Sequence, residues 1–271
     1  MARSYDGGKS LKLDGRVALV TGGGSGIGRA TAQLLASQGM RVCVVDIDER
    51  ATATVADSIG GAGLRCDVSD PEQVDAAFAS CVREFGRLDL VFLNAGISIR
   101  WSGDIAALDV ADYRRSLGVN LDGVVFGARS AVRTMRSCPD NGERAIVATA
   151  SLAGILPWHP DAVYSLGKHA VVGFMRAIAP NLTPEGIAVH TVCPGITETG
   201  VLGNRRPLVE GVGVPVMEPE AVADAVLAAV TAPLDATGST WAVQHGKPAW
   251  AVQFPDVPGP DGRLNVPVRG S

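Results

Sequence analysis

The chain predicts a single α/β domain: a doubly wound parallel sheet of about seven strands, with helices on both faces. Three observations predict it. Short β-branched runs alternate along the chain with stretches of helical periodicity. The strand runs are apolar throughout rather than alternating, as strands covered on both faces require. A glycine-rich turn stands between the first strand and the first helix. The 271 residues fit one such domain better than two small ones, and 46% hydrophobic residues supply its core.

The elements follow in order. Arg16–Thr21 (RVALVT) is the first strand, and Ile27–Ser37 has helical spacing after the glycines. Arg41–Asp46 (RVCVVD) is the second strand, with a helix over Glu49–Ile59. Leu64–Asp67 reads as the third strand, and Ser69-Asp70-Pro71-Glu72 then opens a helix with a capping residue before a first-turn proline. Leu88–Leu93 is the fourth strand, followed by one long helix over Asp109–Met135. Arg144–Ala150, Gly186–Val192 and Ser239–Gln244 are the fifth to seventh strands, with helices over Asp161–Pro180 and Glu220–Thr231 between them. Residues 1–12 form an N-terminal arm, 13–247 the core, and 248–271 a Pro- and Gly-rich tail expected to be irregular.

Composition excludes several function classes. With 24 basic against 28 acidic residues the formal charge is −4, which offers no basic field for nucleic acid. The N-terminus lacks an apolar signal core, and no apolar run approaches the ~18 residues that span a bilayer, so the expectation is a cytoplasmic protein without a membrane partner. Five cysteines without a C-x-x-C pair fit reduced thiols. The four histidines are scattered, so no metal site is read.

The first motif is a dinucleotide cradle, Thr21-Gly22-Gly23-Gly24-Ser25-Gly26-Ile27-Gly28. Between a strand and a helix, bare backbone amides and the helix N-terminus converge on a pyrophosphate. Gly22 allows the sharp turn, Gly26 the close approach of phosphate, and Gly28 the helix–strand contact. The second strand ends at Asp46, 18 residues beyond Gly28. A carboxylate there accepts hydrogen bonds from the adenosine ribose and repels a 2′-phosphate, and Ser25 supplies no basic group to hold one. The expected cofactor is NAD in preference to NADP. The alternative is that Asp46, with Asp48, simply caps the next helix.

Tyr164 and Lys168 lie four apart within one helix, hence on one face. With three tyrosines and four lysines in the chain, chance gives this spacing only about 0.04 times. Ser151 precedes Tyr164 by 13 residues and ends the fifth strand, where active-site groups of open α/β sheets gather. A tyrosine of ordinary pKa ~10 is a poor base at neutral pH. A neighbouring ammonium and a positive nicotinamide ring both stabilise its phenolate, while a serine hydroxyl holds a substrate oxygen.

On these residues the chain resembles the classical short-chain dehydrogenase/reductase family from Leu13 to about Gln244, which implies a Rossmann-like fold. The T-G-x-x-x-G-I-G cradle matches, as do Asn94-Ala95-Gly96, Asn120, Ser151, Tyr164, Lys168 and Pro194-Gly195-Ile196-Thr197-Glu198-Thr199. The resemblance implies that Tyr164 is the general acid/base and that Lys168 lowers its pKa and binds the nicotinamide ribose. It also implies that Ser151 orients the substrate oxygen and that Asn120 holds a water of the proton relay. Asp67-Val68 resembles the pair flanking adenine, and Thr197 and Thr199 occupy positions that meet the nicotinamide amide and the pyrophosphate. Leu93 stands where many relatives have a second asparagine, and the Asp-Gly-Gly that many carry after the last strand is missing. The ending Trp241–Pro248, with Phe254-Pro255-Asp256, is more similar to the hydroxyprostaglandin dehydrogenase-like branch, which makes a homodimer as plausible as the common homotetramer.

The loops that bound the pocket in this family bring Ile97, Ile99 and Trp101, then Leu152, Ile155, Leu156, Trp158 and His159, then Val201 and Leu202 up to Met217. This apolar set suits a lipophilic secondary alcohol or ketone. Arg205-Arg206 are read as solvated, with a substrate carboxylate as the alternative partner. The expected activity is NAD-dependent hydride transfer between nicotinamide and such a substrate. A carbonyl reductase using the same residues is the nearest alternative. A non-catalytic NAD-binding sensor and a lyase or isomerase on the same scaffold are the alternatives of other classes.

Overall fold

In a computed structural model, residues 11–99, 103–139, 142–211 and 213–255 are described. The β-branched run Val17–Thr21 forms β1 and is buried along its whole length. Its neighbours are β2 (Arg41–Asp46) and β4 (Leu90–Leu93), both parallel to it. With β3 (Ala62–Arg65), β5 (Arg144–Thr149), β6 (Ile187–Pro194), β7 (Thr240–Val243) and β8 (Trp250–Ala251), they make one sheet in the order β3-β2-β1-β4-β5-β6-β7-β8. The chain winds outward from β1 in one direction, then returns and winds outward in the other. This leaves a crevice at the C-terminal ends of β1 and β4, where open sheets of this kind bind ligands.

Successive residues of β1 serve opposite cores. Val17 and Leu19 face α3 (Pro71–Phe85), α5 (Gly123–Ser137) and α6 (Ala162–Leu182), packing with Phe78, Ala128 and Met175. Ala18 and Val20 face α1 (Gly26–Ser37), α2 (Glu49–Ile59) and α8 (Pro219–Val230), packing with Leu35, Val55 and Val226. At the opposite end from the crevice, Asp89 is 1% exposed and joins Arg16 at 2.9 Å, Arg87 at 2.6 Å and the Val17 amide at 2.9 Å. Burial pushes its carboxyl up, but the two guanidinium groups and that amide outweigh burial and hold it below the ordinary range.

The doubly wound α/β expectation agrees with this sheet, and several local expectations need correction. The sheet has eight strands rather than about seven, and β8 runs antiparallel to β7. The tail is therefore not irregular from residue 248. A turn with Gly246 at φ 70° reverses the chain, and the edge of β7 offers unpaired backbone groups, so Trp250–Ala251 pair there and the Val252 amide donates to Thr240 O at 2.8 Å. The single helix expected over Asp109–Met135 is divided into α4 (Val110–Leu117), a π-helical turn over Gly118–Asp122, and α5. A short helix, α7 (Arg206–Gly211), interrupts the long loop after β6. Among the described residues no helix is long and apolar enough to cross a membrane, and all five cysteines are buried free thiols.

Candidate active site

The site assembles where the parallel strands end. The loop after β1 turns through Gly22 and Gly26, at φ 64° and 49°. At Gly28 a side chain has no room: a methyl there would lie 2.0 Å from Gly22 O. The turn thus closes on itself and delivers backbone straight into α1. Ser25 precedes that helix without capping it, and the first turn carries no acidic residue, so its positive end is left to an anionic group. Ile27 packs beneath, against the core shared with α8. Gly26 lies against Thr199, whose Cγ2 would be 3.0 Å from a methyl at Gly26.

Asp46 ends β2 and accepts from the Gly24 amide at 3.0 Å and the Asp48 amide at 3.1 Å. It does not cap α2; Asp48 does, accepting from Ala51 N at 3.0 Å. The Asp46 carboxylate therefore stands against the glycine-rich loop. Asp67 follows β3 and accepts from the Ser69 amide and hydroxyl at 3.0 and 2.7 Å. The Val68 side chain is buried against Gly123. These residues could hold a dinucleotide: glycines where a Cβ would block approach, an uncapped helix start, and a carboxylate at the end of the second strand.

After β4, Asn94 laces the central strands together. Its amide nitrogen donates to Thr21 O at 3.2 Å, its side-chain oxygen accepts from Thr149 Oγ1 at 3.0 Å, and its backbone N–H donates to Thr21 Oγ1 at 2.9 Å. Asn120, in the π-helical turn, holds the next segment. Its Oδ1 accepts from Ile97 N at 3.0 Å, and its Nδ2 donates to Ile97 O at 2.9 Å and Ser116 Oγ at 3.2 Å. Gly96 sits between Asn120 and the Lys168 ammonium, which would be 3.7 Å from a methyl at that glycine.

Ser151 follows β5, where its hydroxyl donates to Pro194 O at 3.5 Å and accepts from the Ala153 amide at 3.1 Å. Tyr164 and Lys168 project from α6 on one face, with Nζ 5.6 Å from the ring centroid. The helix is capped by Asp161, whose Oδ1 accepts from Tyr164 N at 2.8 Å. Lys168 is 2% exposed and donates from Nζ to Thr149 O at 2.8 Å. Burial lowers its pKa to about 8. Burial likewise pushes the Tyr164 phenol up to about 12, the Ser151 hydroxyl working in the opposite direction. Burial, rather than the neighbouring ammonium, thus decides the acidity of the phenol at this geometry.

After β6, Pro194 ends the strand and the Gly195 amide donates to Val243 O at 2.8 Å. Thr197 bridges to Met217 and donates to Gly195 O at 3.1 Å, while Thr199 donates to Thr197 O at 3.4 Å. Leu152 packs toward Gly195. Leu156 and Trp158 are 61% and 44% exposed, whereas Leu202 is 8% exposed. Trp101 and the Arg205 side chain lie outside the described residues. Arg206 is not simply solvated but pairs with Glu198 and Glu210, each at 2.9 Å.

Sequence reasoning missed Thr149 and Asp161 and took Thr21 only as the start of the cradle. Thr21 and Thr149 act from strand ends through carbonyl and hydroxyl toward residues far along the chain, which leaves no local signature. Asp161 had a usable signal, a capping residue three before Tyr164, though nothing in it announced burial.

Residues 16–209 match the family model described as short chain dehydrogenase. The chain is 38% identical to Short-chain dehydrogenase reductase ATA1 of Arabidopsis thaliana over 193 residues, covering 71% of this chain and 70% of that one. It is 37% identical to a cyclohexanol dehydrogenase of Acinetobacter sp. over 198 residues, covering 71% and 77%. The fold is similar to that of 3-ketoacyl-(acyl-carrier-protein) reductase from Brucella melitensis, solved with NADH, at 30% identity and a TM-score of 0.79, covering 86% of this chain and 98% of that one. With a matched family model over most of the length and such relatives beside it, the chain belongs to the short-chain dehydrogenase family of nicotinamide-dependent oxidoreductases.

Proposed function

We propose that the protein is an NAD-dependent dehydrogenase of lipophilic secondary alcohols, with Tyr164 as general acid/base. The observation that carries this is the meeting of Ser151, Tyr164 and Lys168 beside a glycine-rich helix start that has no cap of its own. When bound, the cofactor supplies the hydride site and, oxidised, a positive charge. The rest falls to the chain. Ser151 holds the substrate oxygen in reach of the phenol, whose Oη takes the hydroxyl proton during oxidation and returns it in reduction. Lys168, held by the Thr149 carbonyl, presents a charge beside the ring and a donor toward the ribose. Asn120 fixes the Ile97 backbone next to that ammonium. Exposed Leu156 and Trp158, close in sequence to Ser151, support an apolar substrate.

Tyr164→Phe removes only the proton carrier. Turnover of a panel of secondary alcohols, followed by nicotinamide absorbance, is expected to fall at least ~100-fold with NADH affinity within a few fold. Near-wild-type turnover removes the role. NAD over NADP rests on Asp46, whose carboxylate stands by the loop that would receive the ribose. Asp46→Ala is expected to raise NADP use relative to NAD by about tenfold, and an unchanged ratio places the preference elsewhere. Five buried free thiols support a reducing, cytoplasmic setting. Exposed Ile105, Val110 and Leu166, on and beside α4 and α6, support self-association as a homodimer or homotetramer, for which a monomeric mass by light scattering is the contrary result.

A further inference from the structure

We infer that Asp161 is a positioning residue of this reaction: its buried carboxylate holds Tyr164 by the backbone and sets an unpartnered carboxylate oxygen beside the start of the helix that carries the phenol. The inference rests on the role proposed above for Tyr164. Capping alone does not account for the residue. A cap needs one acceptor, and Ser, Thr or Asn serves as well as Asp. Oδ1 does that work, accepting from Tyr164 N at 2.8 Å. The side chain is nevertheless 7% exposed, and Oδ2 is buried without a hydrogen-bond partner among the described residues. A carboxylate oxygen left in that state costs free energy that an uncharged cap would avoid. The capping aspartates of α2 and α4, Asp48 and Asp109, are exposed, and both oxygens of half-buried Asp70, which caps α3, accept hydrogen bonds, so among these caps the cost is peculiar to the helix that carries Tyr164. The backbone of Asp161 is also pinned, its N–H donating to Trp158 O at 3.1 Å and its carbonyl accepting from Ser165 N at 3.0 Å.

The groups facing the phenol come from three elements. The Ser151 hydroxyl after β5 works to lower its pKa, Lys168 on α6 lies beside the ring, and Cys193 on β6 is buried near it. Burial drives the Cys193 thiol up to about 12, so at neutral pH it carries no charge. Asp161 is then a carboxylate among the groups that act on Tyr164, and burial and that carboxylate both oppose the phenolate. Removing that charge eases ionisation of Tyr164.

Asp161→Asn keeps the cap and deletes the charge. Tyr164 ionisation is read directly, by tyrosinate ultraviolet difference absorbance against pH, in protein with Tyr5 and Tyr113 changed to Phe. It is read independently as the pH profile of kcat/KM for alcohol oxidation in otherwise native protein. The expected result is a downward shift of about one pH unit in both, with the thermal midpoint near wild type. Asp161→Ser repeats the test with a different uncharged cap. Titration curves that superpose on wild type overturn the inference, whatever the activity. Failure of both variants to fold also overturns it, since the carboxylate is then structural. If Tyr164→Phe stays active while the titration shifts, the electrostatic effect stands and the catalytic reading of Tyr164 is what fails.

Discussion

Lys168 spends its buried ammonium on the carbonyl of Thr149, and Thr149 in turn spends its hydroxyl on Asn94. Each polar atom at this end of the sheet thus places another, which is how buried polar groups avoid the cost of isolation. His190, on β6, is the opposite case. It is 1% exposed, edge-on to Trp241 at 6.4 Å between ring centroids, and neither ring nitrogen has a partner among the described residues. Burial lowers its pKa to about 4. The folded protein therefore resists a proton that the unfolded chain takes up near pH 6.5. The stability this represents is whole above pH 6.5 and is lost as pH falls through about 4, amounting to roughly 3 kcal/mol there. Urea unfolding of His190→Leu beside wild type is expected to show a smaller loss over that window by about this amount. Parallel curves would mean that His190 is not neutral and buried in solution.

At the scale of elements, what the sequence disclosed depended on whether the cause was local. The glycine turn, the Asp70-Pro71 helix start and the Tyr164–Lys168 pair follow from spacing and backbone preference, and they stand where expected. The break in the helix at Gly118–Asp122 comes from Asn120 reaching Ile97, 23 residues away, a contact that periodicity cannot show. The third strand is expected over Leu64–Asp67 and found over Ala62–Arg65, because pairing begins at Cys43↔Ala62 and Asp67 turns to hold Ser69. Two-residue β8 is too short for a pattern and exists only because β7 left an edge. Gly28 tests the glycine turn as a unit. Gly28→Ala puts a methyl 2.0 Å from Gly22 O, so the turn must open. A loss of about 1–3 kcal/mol in urea unfolding and at least tenfold weaker NADH binding by fluorescence titration are expected. Wild-type affinity would mean that the turn is not the cradle.

Across the whole molecule, β8 closes one end of the sheet and the chain after it folds back, with the Arg176 guanidinium 3.7 Å from the centre of the Phe254 ring. Truncation after Lys247 uncovers the β7 edge and removes that contact. The truncated protein is expected to scatter light more as its concentration rises and to melt several degrees lower. Unchanged scattering and melting would assign the segment no part in stability. The lacing of Thr21, Asn94, Thr149 and Lys168 has a different reach. It ties three neighbouring strands to the helix bearing Tyr164, and residues from positions 21 to 168 must be in register at once for the ammonium to stand where it does. Heat or denaturant that loosens the central strands is accordingly expected to unhook the reactive centre in the same event, so activity should be lost no later than the strands themselves.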